Sequence, residues 1–377
     1  MERGRSRDPG ASNFEIGMGH SVEKFLLPVI LSMGGERWAA RPTRGCGVIF
    51  MLHRVQDQQG ESSWDGQALA SLRRAFAFLR KSPKYRLVHV EEFFGPAALN
   101  VGAGGIPVAI TFDDGYRDQL EIAGPALAEF DIPATVFITS GFVDGEFWMW
   151  WDQIRYALQR TERTSLAMAG ISGPMLTWGS AEHTRVRAAA LLTEYLKRVP
   201  DEHRRVVMAG LSEALDVEIP STPPSSFAPT DWRTMREWEA LGLVKFAPHT
   251  RSHPILSRTD EWMARDEVER SWRRLVEELA APSPVFAFPN GTAEDFGPRD
   301  LKIVEEVGLL GSVSTLPGLV SLGGETPAHA ILPRYALPDD LPRLRMIVSG
   351  LESIRHRRVV GQRELQFSRV PESERYT

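Results

Sequence analysis

Residues 107–115 read Pro-Val-Ala-Ile-Thr-Phe-Asp-Asp-Gly, and the fold is decided there. An apolar run without polar alternation is the pattern of a strand buried on both faces, as in a parallel sheet. It ends abruptly in Asp113 and Asp114, followed by Gly115. Two adjacent carboxylates at a strand end repel, which raises the pKa of one. A cation relieves this by taking one carboxylate as a ligand and leaving the other free as a base. Gly115 lets the chain turn sharply away. An Asp pair alone is weak evidence: Asp339-Asp340 reads as a solvated loop.

Outward from this stretch, six more short runs share its character: 47–52, 134–139, 243–247, 285–288, 311–315 and 330–332. Each is rich in Val, Ile or Phe, or is bounded by Gly or Pro. Helical patterns lie between several of them, over 68–81, 123–130 and 261–279, the last preceded by the capping pair Thr259-Asp260. Alternating strand and helix predicts an α/β fold with a parallel sheet. Seven such strands suggest a closed or nearly closed barrel, an open doubly wound sheet being the alternative. Between about 145 and 231 the rhythm breaks: helical patterns dominate, including 151–163 and 182–197, and the Pro/Ser-rich stretch 220–229 leads back. The expected organisation is an N-terminal segment 1–43, a barrel over 44–345 carrying a helical insertion at about 145–231, and a tail over 346–377.

With 377 residues, 42% hydrophobic and 25% charged, the chain has ample material for a sizeable core. A net charge of -5 provides no basic field, so nucleic acid is not an expected partner. The single cysteine, Cys46, excludes an internal disulfide and a Cys-based metal site; any tightly bound metal must use His, Asp or Glu. The low thiol count favours a cytoplasmic address. The apolar run 25–33 contains Pro28, is too short to span a bilayer and lacks a suitable cleavage site, so neither a transmembrane segment nor a signal peptide is expected.

Residues 249–254, His-Thr-Arg-Ser-His-Pro, follow the run 243–247. Two imidazoles four residues apart can converge on one ion, or be two capping or surface histidines. Two His with one carboxylate form a mononuclear hydrolytic metal set with open positions for water and substrate. Phe286-Ala287-Phe288-Pro289-Asn290-Gly291 ends another strand in a turn, the run 47–52 leads into His53-Arg54, and Leu332-Pro333-Arg334 closes the last strand. Each polar cluster sits at the C-terminal end of its strand, the face on which barrels and open α/β sheets build their sites.

In that order, TFDDG, HTRSH and FAFPNG resemble the motifs of the polysaccharide deacetylase family (NodB homology, carbohydrate esterase 4), over roughly residues 45–338. The resemblance implies a distorted barrel of (β/α)7 type. It also implies Asp113 as general base and Asp114, His249 and His253 as ligands of a divalent cation, usually Zn2+. Pro289, Asn290 and Gly291 match a groove-wall motif. MLHRV, with His53, is similar to the first-strand motif of a circularly rearranged branch in which the acid histidine comes from the N-terminal strand. Two departures stand out. Many members carry an arginine before the third motif to orient the base; VFAF has none, and Arg334 is the expected substitute. ILPR stands where many members have Leu-x-His, which leaves His53 as the acid and His329 as a second candidate.

The implied activity is removal of acetyl groups from an N-acetylated carbohydrate, with a backbone N–H near Tyr116 supporting the oxyanion. The aromatic run 147–151 reads in two ways. Trp148 and Trp151 are sugar-stacking candidates, and the run equally packs the inserted helices on the barrel. A carbohydrate-binding barrel without catalysis and a hydrolase of another non-peptide C–N bond are the alternatives.

Overall fold

The computed structural model describes residues 45–57, 66–94, 104–167, 176–322 and 330–352. The N-terminal segment 1–43, the apolar run 25–33, His329 and residues 353–377 lie outside them. All seven expected strands form: β1 (Cys46–Leu52), β2 (Ile106–Phe112), β3 (Ala134–Ile138), β4 (Val244–Pro248), β5 (Val285–Ala287), β6 (Gly311–Val313) and β7 (Ile331–Leu332).

They make two parallel arcs. One runs β1-β2-β3-β4, with Val48 opposite Val108, Ile110 opposite Ala134 and Ala134 opposite Val244. The other runs β5-β6-β7. After β7 the chain bends at Pro333-Arg334, and Tyr335–Ala336 pairs in parallel with β1 at Phe50 and Met51. This bend joins the arcs on one side. On the other the seam is thin, and the bond from Ser283 N to Phe246 O at 2.7 Å crosses it. The result is a nearly closed, distorted barrel.

Strand period explains its layers. Successive side chains point to opposite faces, so Val285 and Ala287 face inward while Phe286 and Phe288 face outward. The interior cluster takes side chains from every strand: Ile49, Ala109, Phe137, Ala247, Val285, Ala287, Val313 and Leu332. Outside, Val48, Phe50, Ile110, Val136 and Phe246 pack under helices α1 (Leu69–Lys81), α2 (Ala123–Phe130), α6 (Trp232–Ala240) and α9 (Leu341–Val348). Phe286 and Phe288 pack under α7 (Glu261–Glu278) and α8 (Pro298–Glu306).

The helical insertion contains α3 (Trp150–Arg160), α4 (Glu182–Arg198) and α5 (Asp201–Leu215), with a two-residue antiparallel hairpin, Ser165–Leu166 on Leu176–Thr177. It has an apolar cluster of its own, from Ile154 and Leu158 to Leu211 and Leu215. A separate aromatic cluster of Tyr116, Phe142, Trp148 and Met149 fastens it to the barrel.

Helix α9 continues past residue 346, where the tail is expected to begin: it runs to Val348, with Leu344, Ile347 and Val348 buried against the barrel, and Glu352 is buried too. Its apolar face was short and sat beside a highly charged stretch. No helix among the described residues is long and apolar enough to cross a membrane.

Candidate active site

Three of the loops at the C-terminal end of the barrel leave their strands by backbone turns that few side chains adopt. Asp114 (φ 80°), Thr250 (66°), His253 (56°) and Asn290 (57°) all lie in the left-handed region. For a β-branched Thr that conformation is strained, and such strain gathers at functional sites. Asp131 and Asp216, two further non-glycine residues with positive φ, only terminate helices. At Gly291 (φ 66°) the requirement is absolute, since a Cβ would meet the Thr315 amide N at 2.9 Å.

The structure brings Asp114, His249 and His253 together. All three are buried, and their ligand atoms lie within 4.8 Å of one another. Asp114 Oδ1 is 3.5 Å from His249 Nε2 and 3.3 Å from His253 Nε2. His249 Nδ1 lies 2.8 Å from the carbonyl oxygen of Ala287 on β5. A carbonyl only accepts, so Nδ1 carries the proton and Nε2 turns its lone pair toward Asp114. A carboxylate oxygen thus faces a nitrogen lone pair across a buried gap, and Asp114 Oδ1 has no hydrogen bond. This donor set fits a small divalent cation bound by two imidazoles and one carboxylate. Burial, reinforced by the charges of His249 and Arg204, lowers His253 against the opposing pull of Asp114, which favours its neutral, metal-binding form.

Asp113 is built differently although it is the next residue. Arg334, fully buried, forks onto it with Nη1 to Oδ1 and Nη2 to Oδ2, both at 2.7 Å. The fork is itself fixed: Nε donates to Ser314 O and Nη1 to Thr111 Oγ1, both at 3.0 Å, and the guanidinium lies over Phe137. Arg334, the expected substitute for the absent arginine, is thus the residue in contact with Asp113. Burial would raise Asp113; Arg334, with smaller help from His249 and His53, brings it below its ordinary value. His53 Nε2 stands 3.9 Å from Asp113 Oδ2 on a half-exposed side chain.

The aromatic run divides. Trp148 is 3% exposed, packed against Tyr156 and Phe227, with Nε1 donating to Pro220 O at 3.0 Å. No face is left for a sugar, so its assignment as a stacking residue is corrected and the packing reading holds. Trp151 stands beside the site, its ring 4.7 Å from His253, with Nε1 donating to Tyr116 Oη at 3.0 Å. Tyr116 is buried, its hydroxyl donates to Asp152 Oδ2 at 2.6 Å and its carbonyl accepts from Gln119 N at 3.2 Å, which leaves the backbone N–H for the expected role. Pro289, Asn290 and Gly291 turn away from β5 next to the carbonyl that orients His249.

Four supporting residues escaped sequence reasoning. Thr111 braces Arg334. Gln119 donates to the carbonyls of both His53 and Asp113 at 2.5 Å, tying the first strand's loop to the second's. Asp152 anchors Tyr116, and Glu267 grips the loop between the two histidines. Asp152 and Glu267 look like ordinary helix charges in sequence. For Glu267 the available signal was its place on the apolar face of its helix, beside Ala264, Val268 and Leu275; Asp152 gave none, since it lies away from the Ile154, Ala157 and Leu158 face of its own.

A family model described as polysaccharide deacetylase matches residues 101–309, more than half of the 377-residue chain, and the chain belongs to that family. A Streptococcus pyogenes deacetylase, PplD, solved in complex with acetate, is similar at 16% identity and a TM-score of 0.50, over 79% of this chain and 95% of that one. IcaB from Ammonifex degensii (16% identity, 81% and 98% covered, TM-score 0.49) and a de-N-acetylase from Aggregatibacter actinomycetemcomitans (13%, 78% and 96%, 0.49) are also similar. At these identities the first likeness speaks for the fold alone. No curated protein matches the chain significantly.

Proposed function

We propose that this chain hydrolyses the N-acetyl amide of an N-acetylated sugar or glycan, with a divalent cation, zinc the favoured ion, held by Asp114, His249 and His253. The observation that carries the proposal is the division of labour between neighbouring carboxylates. Asp114 faces two imidazoles, and Asp113 is clamped by Arg334 with its other side toward His53.

When bound, the cation supplies Lewis-acid polarisation of the carbonyl and makes water deprotonation accessible near neutral pH. Asp113 takes the proton of the attacking water, and Arg334 keeps it ionised and oriented. The amide near Tyr116 stabilises the developing oxyanion. His53, exposed enough to reach a substrate, protonates the departing amine, releasing acetate and an amino sugar. Trp151 and the Pro289-Asn290-Gly291 turn form walls of the substrate groove. The fully paired Arg334–Asp113 unit favours catalysis over a binding-only barrel, which would have no use for a preorganised base.

The test is acetate release from N-acetylglucosamine oligomers against release of product from non-sugar amides and cyclic imides, with zinc supplied. Acetate from the oligomers alone is expected. Turnover of only the non-sugar substrates would replace the sugar reading with that of a general C–N hydrolase.

A further inference from the structure

Residues 249–253 carry two of the three ligands, so what holds this loop holds the site. Its carbonyls are taken by the end of β3: Ser140 N donates to Thr250 O at 3.2 Å and Gly141 N to Arg251 O at 2.9 Å. Its amides go elsewhere. His249 N donates to Ile138 O at 2.9 Å, and His253 N to Thr250 Oγ1 at 3.0 Å. The amides of Arg251 and Ser252 both converge on one oxygen, Glu267 Oε2, at 2.8 and 2.7 Å. Ser252 Oγ donates to the other, Oε1, at 2.5 Å.

Glu267 lies on α7 and is 2% exposed. All three of its close donors belong to this loop. A buried carboxylate is costly unless donors surround it, and here the surrounding donors sit between the two histidines. At either end of the stretch it grips are Thr250 and His253, both in the left-handed region. Without the carboxylate, the amides of the half-buried Arg251 and Ser252 would lose their acceptor. The loop would then relax to satisfy them, giving up the turn that aims His253 Nε2 at Asp114.

We propose that Glu267 is a positioning residue for the cation: it holds the 249–253 loop in the strained form that turns both imidazoles toward Asp114, and thereby sets metal affinity. This rests on the metal reading of the site given above. Support of this kind, one bond removed from the ligands, governs affinity in known metal sites.

The experiment is zinc affinity of the full chain, measured by competition with a chromophoric chelator, for wild type, Glu267→Gln, Glu267→Asp and Asp300→Asn. Asp300 is a control: equally buried, it caps α8 through Gly297 N at 2.8 Å and makes no bond to the loop. Glu267→Gln keeps a single, uncharged acceptor for the two amides and turns an N–H toward Ser252 Oγ, so it should bind zinc about 10-fold more weakly. Glu267→Asp, one methylene too short to reach all three donors, should also lose affinity and carries the test if the Gln variant does not fold. Asp300→Asn should lower the melting temperature with zinc affinity unchanged. Wild-type affinity in either folded Glu267 variant overturns the proposal, as does an equal loss in Asp300→Asn. A wild type that binds no zinc defeats the metal reading itself, a separate failure.

Discussion

At Asp113 one neighbour decides the charge. The fork from Arg334 is buried on both sides, so replacing the arginine leaves a carboxylate without its counter-ion in a dry site. Arg334→Met should cost about 3–5 kcal/mol of stability, read from chemical denaturation. Arg334→Lys should recover part of that stability but not the orientation of Asp113, because an ammonium lacks the planar fork. Asp113→Asn is predicted to abolish turnover while leaving metal content near wild type. Metal lost in step with activity would mean that Asp113 belongs to the ligand set. The Asp113–Arg334 partnership spans 221 positions in the chain, so no local pattern could display it. What was legible was the need: a carboxylate at the position of the expected base without its usual arginine, and one polar residue closing the last strand. Trp148 misled because a tryptophan that packs and one that stacks on a sugar have the same sequence appearance.

At the scale of elements, strands were read well because burial on both faces leaves an unbroken apolar signature. The strand Tyr85–Leu87, half-buried beside the start of β2 and carrying Arg86, gave no such signal. Helix α3 carries a more telling case. Asp152 is fully buried, and burial pushes its carboxyl up to about 6 against the opposing pull of Arg155, Arg54 and the Tyr116 hydroxyl. An unfolded aspartate titrates near ~3.9, so the folded chain binds the extra proton between about pH 4 and 6. Stability attributable to this group is therefore full below pH 4 and falls as pH rises through 6, by about 3 kcal/mol. Asp152→Asn keeps an acceptor for Tyr116 and removes the titration. The wild-type minus variant difference in denaturation free energy should decline across that window. A flat difference would show that Asp152 ionises without cost.

For the whole molecule, the barrel gathers side chains from distant positions, and the insertion, with its own apolar core, reaches the same mouth through Trp151. The order of motifs in the sequence made this mouth legible: each polar cluster followed a strand, and parallel strands put all their ends on one side. The seam between β4 and β5 was not legible, because it depends on strand length and tilt. A cation bound only by the folded chain stabilises it by mass action, about 2.7 kcal/mol at a hundredfold excess over Kd. Stripping with a chelator should lower the melting temperature of the wild type and leave Asp114→Ala unmoved. The most direct test of the account is the zinc content of purified wild type and His249→Ala by elemental analysis, with circular dichroism to confirm that both are folded. It predicts about one ion per chain in the wild type and almost none in the variant; equal metal in the two would contradict it.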